Sequence, residues 1–268
     1  MNLIVCVKQV IDPEMPPAMF EIDSEAKRAK SPSRTSLVIN DYDEVALEAA
    51  VRVKESHGGK VTVISLGDDS AIQTIRQCLA KGADEGILIK DSLFEEEDRS
   101  ITAYALAAAI KKIGDFDLIF CGRQEADWDA SQVGIGIAEV LGIPAISPVR
   151  KLEIRDRTVV IERIVDEGYE VIECPLPCLV AVDTELATPR YPTTKAVLEA
   201  SRKRVPTWSA GDIEFDASKI MPEGKRTRLL KLFKPEFERE CELISGESPE
   251  EMGTNLVLKL REAVPGLF

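Results

Sequence analysis

The sequence is short of positive charge and of aromatic side chains, and each shortage excludes a class of partner. Lys and Arg together number 34 against 47 Asp and Glu, which gives the chain a formal net charge of −13 at pH 7. Nucleic acids and anionic membranes would repel such a chain, whereas a basic protein surface would attract it. Aromatic residues make up 5% of the chain, too small a share for the stacking platforms that hold single strands. We therefore expect protein and small-molecule partners, and no nucleic acid.

The chain also lacks the residues of a recognisable catalytic or metal centre. His57 is its only histidine, and no nucleophile lies near it in sequence. Cys174 and Cys178 have three residues between them and no second pair to complete a zinc site, so core packing is the better interpretation. Four of the six cysteines lie in or beside apolar runs, as buried reduced cysteines of intracellular proteins do. The sequence thus predicts no catalytic residue and no metal ligand.

Long apolar runs are missing as well. No stretch of 18 apolar residues occurs, so the sequence predicts no membrane span. The first residues lack the basic region and cleavage site of a secretory signal, and the apolar run at 3–7 predicts a first strand instead. We therefore expect a cytoplasmic protein that does not insert into membranes.

The pattern that is present alternates short apolar runs with amphipathic segments. Runs of strand length occur at residues 3–7, 61–66, 86–89 and 118–121. Segments typical of helices separate them, at 44–56, 72–79 and 100–113. This order predicts an α/β fold with an open, mainly parallel sheet and flanking helices. An antiparallel hairpin is predicted next, at 150–154 and 158–164, followed by strands at 169–173 and 179–182.

Residues 117–144 combine the strand at 118–121, a polar loop and a helix predicted to begin near Ala130. Ligands of open α/β sheets bind beyond the carboxyl ends of the strands, where a helix N-terminus offers free N–H groups to a phosphate. Ser131 and Gln132 would add side-chain donors there. The segment is therefore a candidate phosphate site.

Other residues of the same segment limit how far this pattern can be taken. Gly134 and Gly136 would let a ligand approach the backbone. Asp127 and Asp129 would repel a bare phosphate, and they fit better as charges at the helix N-terminus or as acceptors for ribose hydroxyls. No glycine-rich phosphate motif is present, and most strand–loop–helix units bind nothing, so the pattern alone gives only a weak indication of a nucleotide.

The C-terminal part changes in character. Beyond residue 205 the chain is polar, with Trp208 and Phe215 as isolated apolar anchors and a final amphipathic helix at 248–264. A tail of this kind cannot build a core of its own. The predicted organisation is an α/β nucleotide-binding domain at 1–205 and an arm at 206–268 that wraps a neighbouring subunit.

Five stretches together resemble the β subunit of electron-transfer flavoprotein, over almost the whole chain. They are 5–10 (VCVKQV), 38–48 (VINDYDEVALE), 122–134 (GRQ, then DWDASQVG), 170–182 (EVIECPLPCLVAV) and 189–191 (PRY) with a basic helix after it. No single stretch is specific, but their order and spacing are. The resemblance implies an adenine-nucleotide α-hydrolase-like fold, with a C-terminal arm that embraces an α subunit.

The resemblance implies an electron carrier rather than an enzyme. Such a heterodimer holds its redox FAD in the α subunit. It takes electrons from dehydrogenases, for example the acyl-CoA dehydrogenases of fatty acid oxidation, and passes them to a downstream redox acceptor. The β subunit buries an adenine nucleotide, either AMP or a second FAD that serves electron bifurcation. Residues 132–134 and 246–251 favour the FAD type, whereas Trp128 stands where that type usually has glycine and Asp41 stands where many members of the family have proline. Both nucleotides remain open.

The family's functional positions can be transferred onto this chain. Helix 192–204, with Pro192 in its first turn, is the expected docking element for dehydrogenases. The family's leucine anchor falls at Thr194, and Lys195, Arg202, Lys203 and Arg204 offer electrostatic docking instead, the alternative being a merely solvated basic face. Tyr42 is expected to face the flavin of the α subunit. The nucleotide-binding positions are Cys6, Asn40, Asp41, Tyr42, Asp43, Leu66, Gly122, Arg123, Gln124, Asp127, Asp129, Ser131, Gln132 and Val133.

Two other functions are compatible with the same fold. A stand-alone adenine-nucleotide sensor of the stress-protein type would not need the tail beyond residue 205. An adenylating or hydrolysing enzyme would need the glycine-rich phosphate loop and the catalytic histidine that the sequence lacks.

Overall fold

The computed structural model describes residues 1–25, 27–30, 37–94, 98–216, 218, 227, 229–235 and 241–266. Its strands, in chain order, are β1 (Asn2–Cys6), β2 (Gln9–Ile11), β3 (Glu21–Asp23), β4 (Arg28–Lys30), β5 (Leu37–Ile39), β6 (Lys60–Leu66), β7 (Glu85–Ile89), β8 (Leu118–Gly122), β9 (Ala145–Arg155), β10 (Thr158–Val165), β11 (Gly168–Pro175), β12 (Cys178–Val182) and β13 (Thr207–Trp208). The α-helices are α1 (Asp41–His57), α2 (Ala71–Ala80), α3 (Arg99–Ile113), α4 (Val133–Leu141), α5 (Thr194–Arg202) and α6 (Pro249–Ala263).

Nine strands form one sheet in the order β11-β10-β9-β12-β8-β1-β6-β7-β13. All neighbours from β9 through β12 to β13 run parallel, and only the pairs β9–β10 and β10–β11 are antiparallel. The predicted hairpin thus extends the main sheet through β9. Two small antiparallel pairs, β2–β5 and β3–β4, lie outside the main sheet. The predicted α/β class with a mainly parallel sheet is confirmed.

Each face of the sheet carries its own core, because successive side chains of a strand point to opposite faces. In β1, Leu3 and Val5 join the core under α1 and α2, whereas Ile4 and Cys6 join the core under α3 and α4. Burial on both faces explains why the strands are continuous apolar runs rather than alternating ones. A fully buried aliphatic side chain contributes roughly 1.5–3 kcal/mol, so these two cores dominate the stability of the sheet.

Two helices begin later than the sequence pattern predicts. Helix α4 starts at Val133 rather than near Ala130, because Asp129 and Ser131 have left-handed φ values of 49° and 56° that a right-handed helix cannot contain. Helix α5 starts at Thr194, and the Oγ1 atom of Thr193 accepts from the N–H of Ala196 at 3.2 Å as its N-cap. Pro192 therefore precedes the helix and does not lie in its first turn.

The two apolar anchors beyond residue 205 pack within this chain. Trp208 lies in β13, which pairs with β7, and Lys112 Nζ lies 4.4 Å from the centre of its ring. Phe215 makes edge-on ring contacts with Phe94 and Tyr104, at centroid distances of 4.9 and 5.3 Å. These two residues of the predicted arm therefore pack within their own chain, and the wrapping of a neighbouring subunit stays a prediction.

Contacts divide the chain into two units, Met1–Leu232 and Phe233–Phe268. The second contains α6, whose N-cap Ser248 accepts through Oγ from the N–H of Glu251 at 3.3 Å. None of the residues of α6 is buried, and Leu256 and Leu258 are about half exposed. The predicted division into a nucleotide domain at 1–205 and a wrapping arm at 206–268 stays a prediction, and residues 217, 219–226, 228, 236–240 and 267–268 of that arm lie outside the described residues.

Candidate functional site

A cavity of about 290 Å³ lies at the carboxyl ends of the central parallel strands. Cys6 ends β1, Leu66 ends β6 and Gly122 ends β8, and all three line it. Helix α4 starts beside the cavity, because Val133 and Gly134 line it too. This is the edge of a parallel sheet where ligands are expected, and its size suits a mononucleotide or part of a larger ligand.

Most of the residues predicted to bind a nucleotide meet in this cavity. Three do not line it. Asp41 lies in a separate groove with Glu44 and Lys81. Tyr42 and Asp129 each contact a lining residue, Arg123 and Gln124 respectively. The predicted residues that line the cavity are Cys6, Asn40, Asp43, Leu66, Gly122, Arg123, Gln124, Asp127, Ser131, Gln132 and Val133.

The start of α1 is joined to the cavity loop by Asn40. Although Asn40 occupies the N-cap position, its side chain makes no capping bond. Instead its Nδ2 donates to the carbonyl of Gln124 at 2.9 Å, and its Oδ1 accepts from the N–H of Ala126 at 3.0 Å. Asn40 is buried, so these two bonds hold the backbone of the loop at a set distance from the helix.

Asp43 lies one turn further along α1 and is also buried. Its carboxylate accepts from the N–H of Lys8 at 2.7 Å and from that of Gly122 at 2.9 Å. Burial raises the pKa of Asp43 to about 7, although these two hydrogen bonds act in the opposite direction. Burial, and then Asp43 itself, also raise the pKa of the Cys6 thiol well above its ordinary value, so Cys6 forms a neutral wall of the cavity.

The loop between β8 and α4 is fixed by its own acidic residues. Asp127 forms an ion pair with Lys8 at 2.7 Å, and Asp129 accepts from Gln124 Nε2 at 2.7 Å. Neither carboxylate lies in the first turn of α4, which contains no acidic residue. The expectation that they serve as helix-terminal charges is therefore wrong. Ser131 and Gln132 precede the helix and line the cavity, as a phosphate site requires.

Both glycines of α4 allow close packing, and Gly134 also lines the cavity whereas Gly136 does not. A Cβ atom at Gly136 would come within 2.8 Å of the Cβ of Ala103 on α3. One at Gly134 would come within 2.5 Å of Cys121 Sγ in β8. These close approaches bring α4 onto the sheet and onto α3, so the expected role of Gly136 at a ligand is wrong.

Three cations lie around the cavity, each near a carboxylate. Besides Lys8, they are Arg99, whose Nε is 3.8 Å from Glu125, and Arg123, whose Nη1 is 2.8 Å from Asp183. The Arg123 guanidinium also lies 5.3 Å from the centre of the Tyr42 ring. Its buried Nε has no hydrogen-bond partner among the described residues, which is costly unless a ligand supplies one.

Residues of the α3 side were missed by sequence reasoning. Arg99 and Trp128 form a cation–π contact, with the guanidinium 5.0 Å from the ring centre. Asp98 caps α3 by accepting from the N–H of Ser100 at 2.8 Å, and this places Arg99 at the cavity. No local sequence motif predicts that Arg99 and Trp128 line the cavity together, because their contact depends on how α3 packs on the sheet. The lining residues that the sequence did not predict are Val7, Lys8, Phe94, Arg99, Thr102 and Leu106. Four more lining residues, Cys121, Glu125, Trp128 and Gly134, lie within the predicted segment 117–144.

The predicted docking residues lie on the outer surface of α5. Thr194, Lys195 and Arg202 are all exposed, and the Nζ of Lys195 lies 3.8 Å from the carboxylate of Glu199. Tyr191, just before the helix, is 95% exposed. The arrangement leaves these side chains free to meet another protein.

Two kinds of feature are absent from the described part of the chain. Within it, no helix combines the length and the apolar character needed to cross a membrane. Nor do the described His, Cys, Asp and Glu residues form any group of three that could hold a metal ion.

The fold and the site together define a class of protein. It is an α/β protein with a mainly parallel sheet, whose carboxyl edge carries a ligand-sized cavity with apolar walls and cations at its rim. Such cavities suit an anionic ligand with an apolar part.

Comparison with known proteins identifies the family. The electron transfer flavoprotein domain matches residues 32–213. The electron transfer flavoprotein subunit beta of Thermoanaerobacterium thermosaccharolyticum is 40% identical over 264 residues, which cover 97% of this chain and 98% of the relative. CarD, a subunit of the caffeyl-CoA reductase–Etf complex of Acetobacterium woodii, is 35% identical over 98% of both chains. Protein FixA of Azorhizobium caulinodans is 35% identical over 90% of this chain and 86% of its own. The chain belongs to the family of electron transfer flavoprotein beta subunits, as its five characteristic stretches predict.

Proposed function

We propose that this chain pairs with an α-type subunit to form a flavoprotein heterodimer, which carries electrons from a dehydrogenase to a redox acceptor. Membership of the family supports the pairing and the electron-carrier role. The flavin supplies the redox chemistry when bound, and this chain supplies binding and positioning. The proposed C-terminal arm would cover part of the α subunit, in keeping with the exposed apolar side chains of α6.

The observation that carries the proposal is the cavity at the strand ends, in which eleven of the fourteen predicted nucleotide positions meet. We propose that it holds an adenine nucleotide, with Ser131, Gln132 and the first N–H groups of α4 at the phosphate. The unpaired Nε of Arg123 fits such a ligand, because a ligand oxygen would satisfy it. AMP and FAD share the AMP moiety, so both fit this assignment.

The test is to denature the purified heterodimer and to quantify the flavin and AMP that it releases. One flavin and one AMP per heterodimer would identify a plain electron carrier. Two flavins without AMP would identify the type with a second FAD, which is the arrangement needed for electron bifurcation. A single flavin, with no second nucleotide even after reconstitution with AMP or FAD, would refute the proposed nucleotide site.

We further propose that α5 docks the electron donor. The relative from Acetobacterium woodii is by name part of a caffeyl-CoA reductase complex, and this supports an enzyme of CoA esters as the partner. A reductase accepts electrons, so the choice of an acyl-CoA dehydrogenase as the donor rests on the family resemblance. Reversing Lys195 and Arg202 to Glu should slow electron transfer and weaken its dependence on salt. If the rate and the salt dependence both stay the same, the basic face is only solvated.

The stand-alone sensor remains the alternative function. Co-expression with a candidate α subunit, followed by gel filtration, distinguishes the two, because a sensor would elute as a monomer. We also propose a cytoplasmic location, which is supported by five buried cysteines that remain free thiols in the structure.

A further inference from the structure

Arg190, four residues before α5, is held by two carboxylates of α1. Its Nε lies 2.8 Å from Glu48 Oε2, and its Nη1 and Nη2 lie 2.5 and 3.0 Å from the two carboxylate oxygens of Glu55. The backbone N–H of Arg190 also donates to Glu48, at 3.2 Å. A guanidinium that grips two carboxylates in this way has its position and its orientation fixed.

Glu48 is buried, and its ionised form is stabilised there by hydrogen bonds from Arg190 and Arg52. Burial acts to raise its pKa, but hydrogen bonds from Arg190 and Arg52 outweigh burial, so the pKa lies below its ordinary value. Arg52 contacts Glu48 at 2.6 Å and also donates to the carbonyl of Thr188 at 3.1 Å. The segment entering α5 is therefore tied to α1 at two successive points.

Further bonds hold the same segment from α2 and from its far end. Lys81, just after α2, donates to the carbonyl of Arg190 at 2.8 Å. Lys203, just after α5, donates to the carbonyl of Asp84 at 3.1 Å. Between these points only Ala200 of α5 is buried. Apart from Ala200, which belongs to the core under α1 and α2, polar bonds fix the segment.

The fixed segment presents apolar side chains to solvent. Tyr191 is 95% exposed, and Val197 and Leu198 are exposed by 47% and 57%. A segment whose backbone is held in place before binding loses less conformational freedom when a partner arrives, which strengthens binding without any new contact. Because Arg190 is next to Tyr191 in this face, the carboxylates of Glu48 and Glu55 that hold Arg190 also help to hold the face that a partner would contact.

We propose that Arg190 is a positioning residue for the electron donor. Its bonds to Glu48 and Glu55 hold residues 191–202 in the conformation that the donor binds, although Arg190 itself does not touch the donor. This inference rests on the docking role proposed above for α5.

The test uses the heterodimer carrying Arg190→Gln in this chain. Hydrogen exchange of residues 191–202 should become faster, because the link to both carboxylates is lost. With an acyl-CoA dehydrogenase as the donor and the heterodimer as its varied substrate, KM should rise by about tenfold, as the ordering of one or two extra side chains on binding would produce. The kcat and the nucleotide content should stay unchanged, which a general loss of structure would not allow.

Glu55→Gln provides a milder variant, since Glu55 is about half exposed and its loss leaves Arg190 bonded to Glu48. It should give a smaller change in the same two measurements, and it carries the test if Arg190→Gln does not fold. Arg155→Gln is the matched control, because it removes an exposed arginine that pairs with Glu153 away from this segment. Unchanged hydrogen exchange of residues 191–202 in Arg190→Gln would overturn the inference, whether or not α5 docks the electron donor. Faster exchange with an unchanged KM would overturn the link to docking, and the Lys195 and Arg202 reversals would then show whether α5 docks the donor at all.

Discussion

Gly122 is the residue whose replacement should report most directly on the architecture of the cavity. It ends β8 where the start of α1 passes over it. A Cβ atom at this position would lie 2.6 Å from Asp43 Oδ1, 2.6 Å from Tyr42 Cβ and 3.0 Å from Asp43 N. Two of these atoms belong to the backbone or to a Cβ of α1, so no flexible side-chain end can move aside. Gly122→Ala must therefore push β8 and α1 apart.

The cost has two parts. Overpacking of a close contact costs about 1–3 kcal/mol. The displaced α1 also weakens the hydrogen bond between Gly122 N and Asp43 Oδ1, now 2.9 Å, and a bond to a charged group is worth about 1.5–3 kcal/mol. These effects share one movement and do not add fully, so we expect a loss of about 3 kcal/mol. At about 2–4 °C per kcal/mol, the Tm should fall by about 6–12 °C.

The assay is urea and thermal unfolding of the heterodimer, together with its content of released nucleotide. Gly211→Ala is the control, because a Cβ atom there would meet only Ser209 Oγ, at an ordinary 3.8 Å. Gly122→Ala should lose both stability and the nucleotide of the β subunit, whereas the control should keep both. Equal stability and equal nucleotide content in the two variants would refute the close approach of α1 to β8 as the element that shapes the cavity.

Three other predictions concern polar residues of α1 and its N-cap residue Asn40. The pKa of Asp43 is raised from 3.8 to about 7, so its contribution to the free energy of unfolding is complete below pH 3.8 and is lost as the pH rises through about 7. Urea unfolding of Asp43→Asn at a series of pH values should therefore show a free energy of unfolding that changes less across this window. The pKa of Glu55 is lowered from 4.5, chiefly by the hydrogen bonds from Arg190, so its contribution to the free energy of unfolding is present above pH 4.5 and is lost as the pH falls below that value. Urea unfolding should therefore show that Glu55→Gln loses less stability on acidification than the unmodified chain. Asn40→Ala leaves Gln124 O and Ala126 N without their partner, so unfolding should become easier by about 1–3 kcal/mol. Asn40→Asp keeps the acceptor for Ala126 but turns a buried carboxylate oxygen towards the carbonyl of Gln124, so it should lose at least as much.

Much of the fold follows from local patterns in the sequence. Apolar runs of four to seven residues can be satisfied only as strands buried on both faces, and the amphipathic segments between them supply the covering helices. The family resemblance implied Cys6, Leu66 and Gly122 as positions of one site, and the general rule that the carboxyl ends of parallel strands meet at one edge agrees with it. The family could be predicted as well, because five short stretches keep their order.

The tertiary structure decided the features that depend on contacts between distant parts of the chain. Arg99 and Trp128 share a wall of the cavity because α3 packs beside the loop after β8, which no local pattern specifies. The late start of α4 depends on two left-handed residues that are neither glycine nor asparagine, so the sequence carried little warning of it. Arg190 meets Glu48 across 142 residues of sequence, and the raised pKa of Asp43 results from burial under a strand 79 residues away. Hydrophobic periodicity is a property of neighbouring residues and can be read from the chain, whereas desolvation, ion pairing and close backbone approach exist only once the elements have packed.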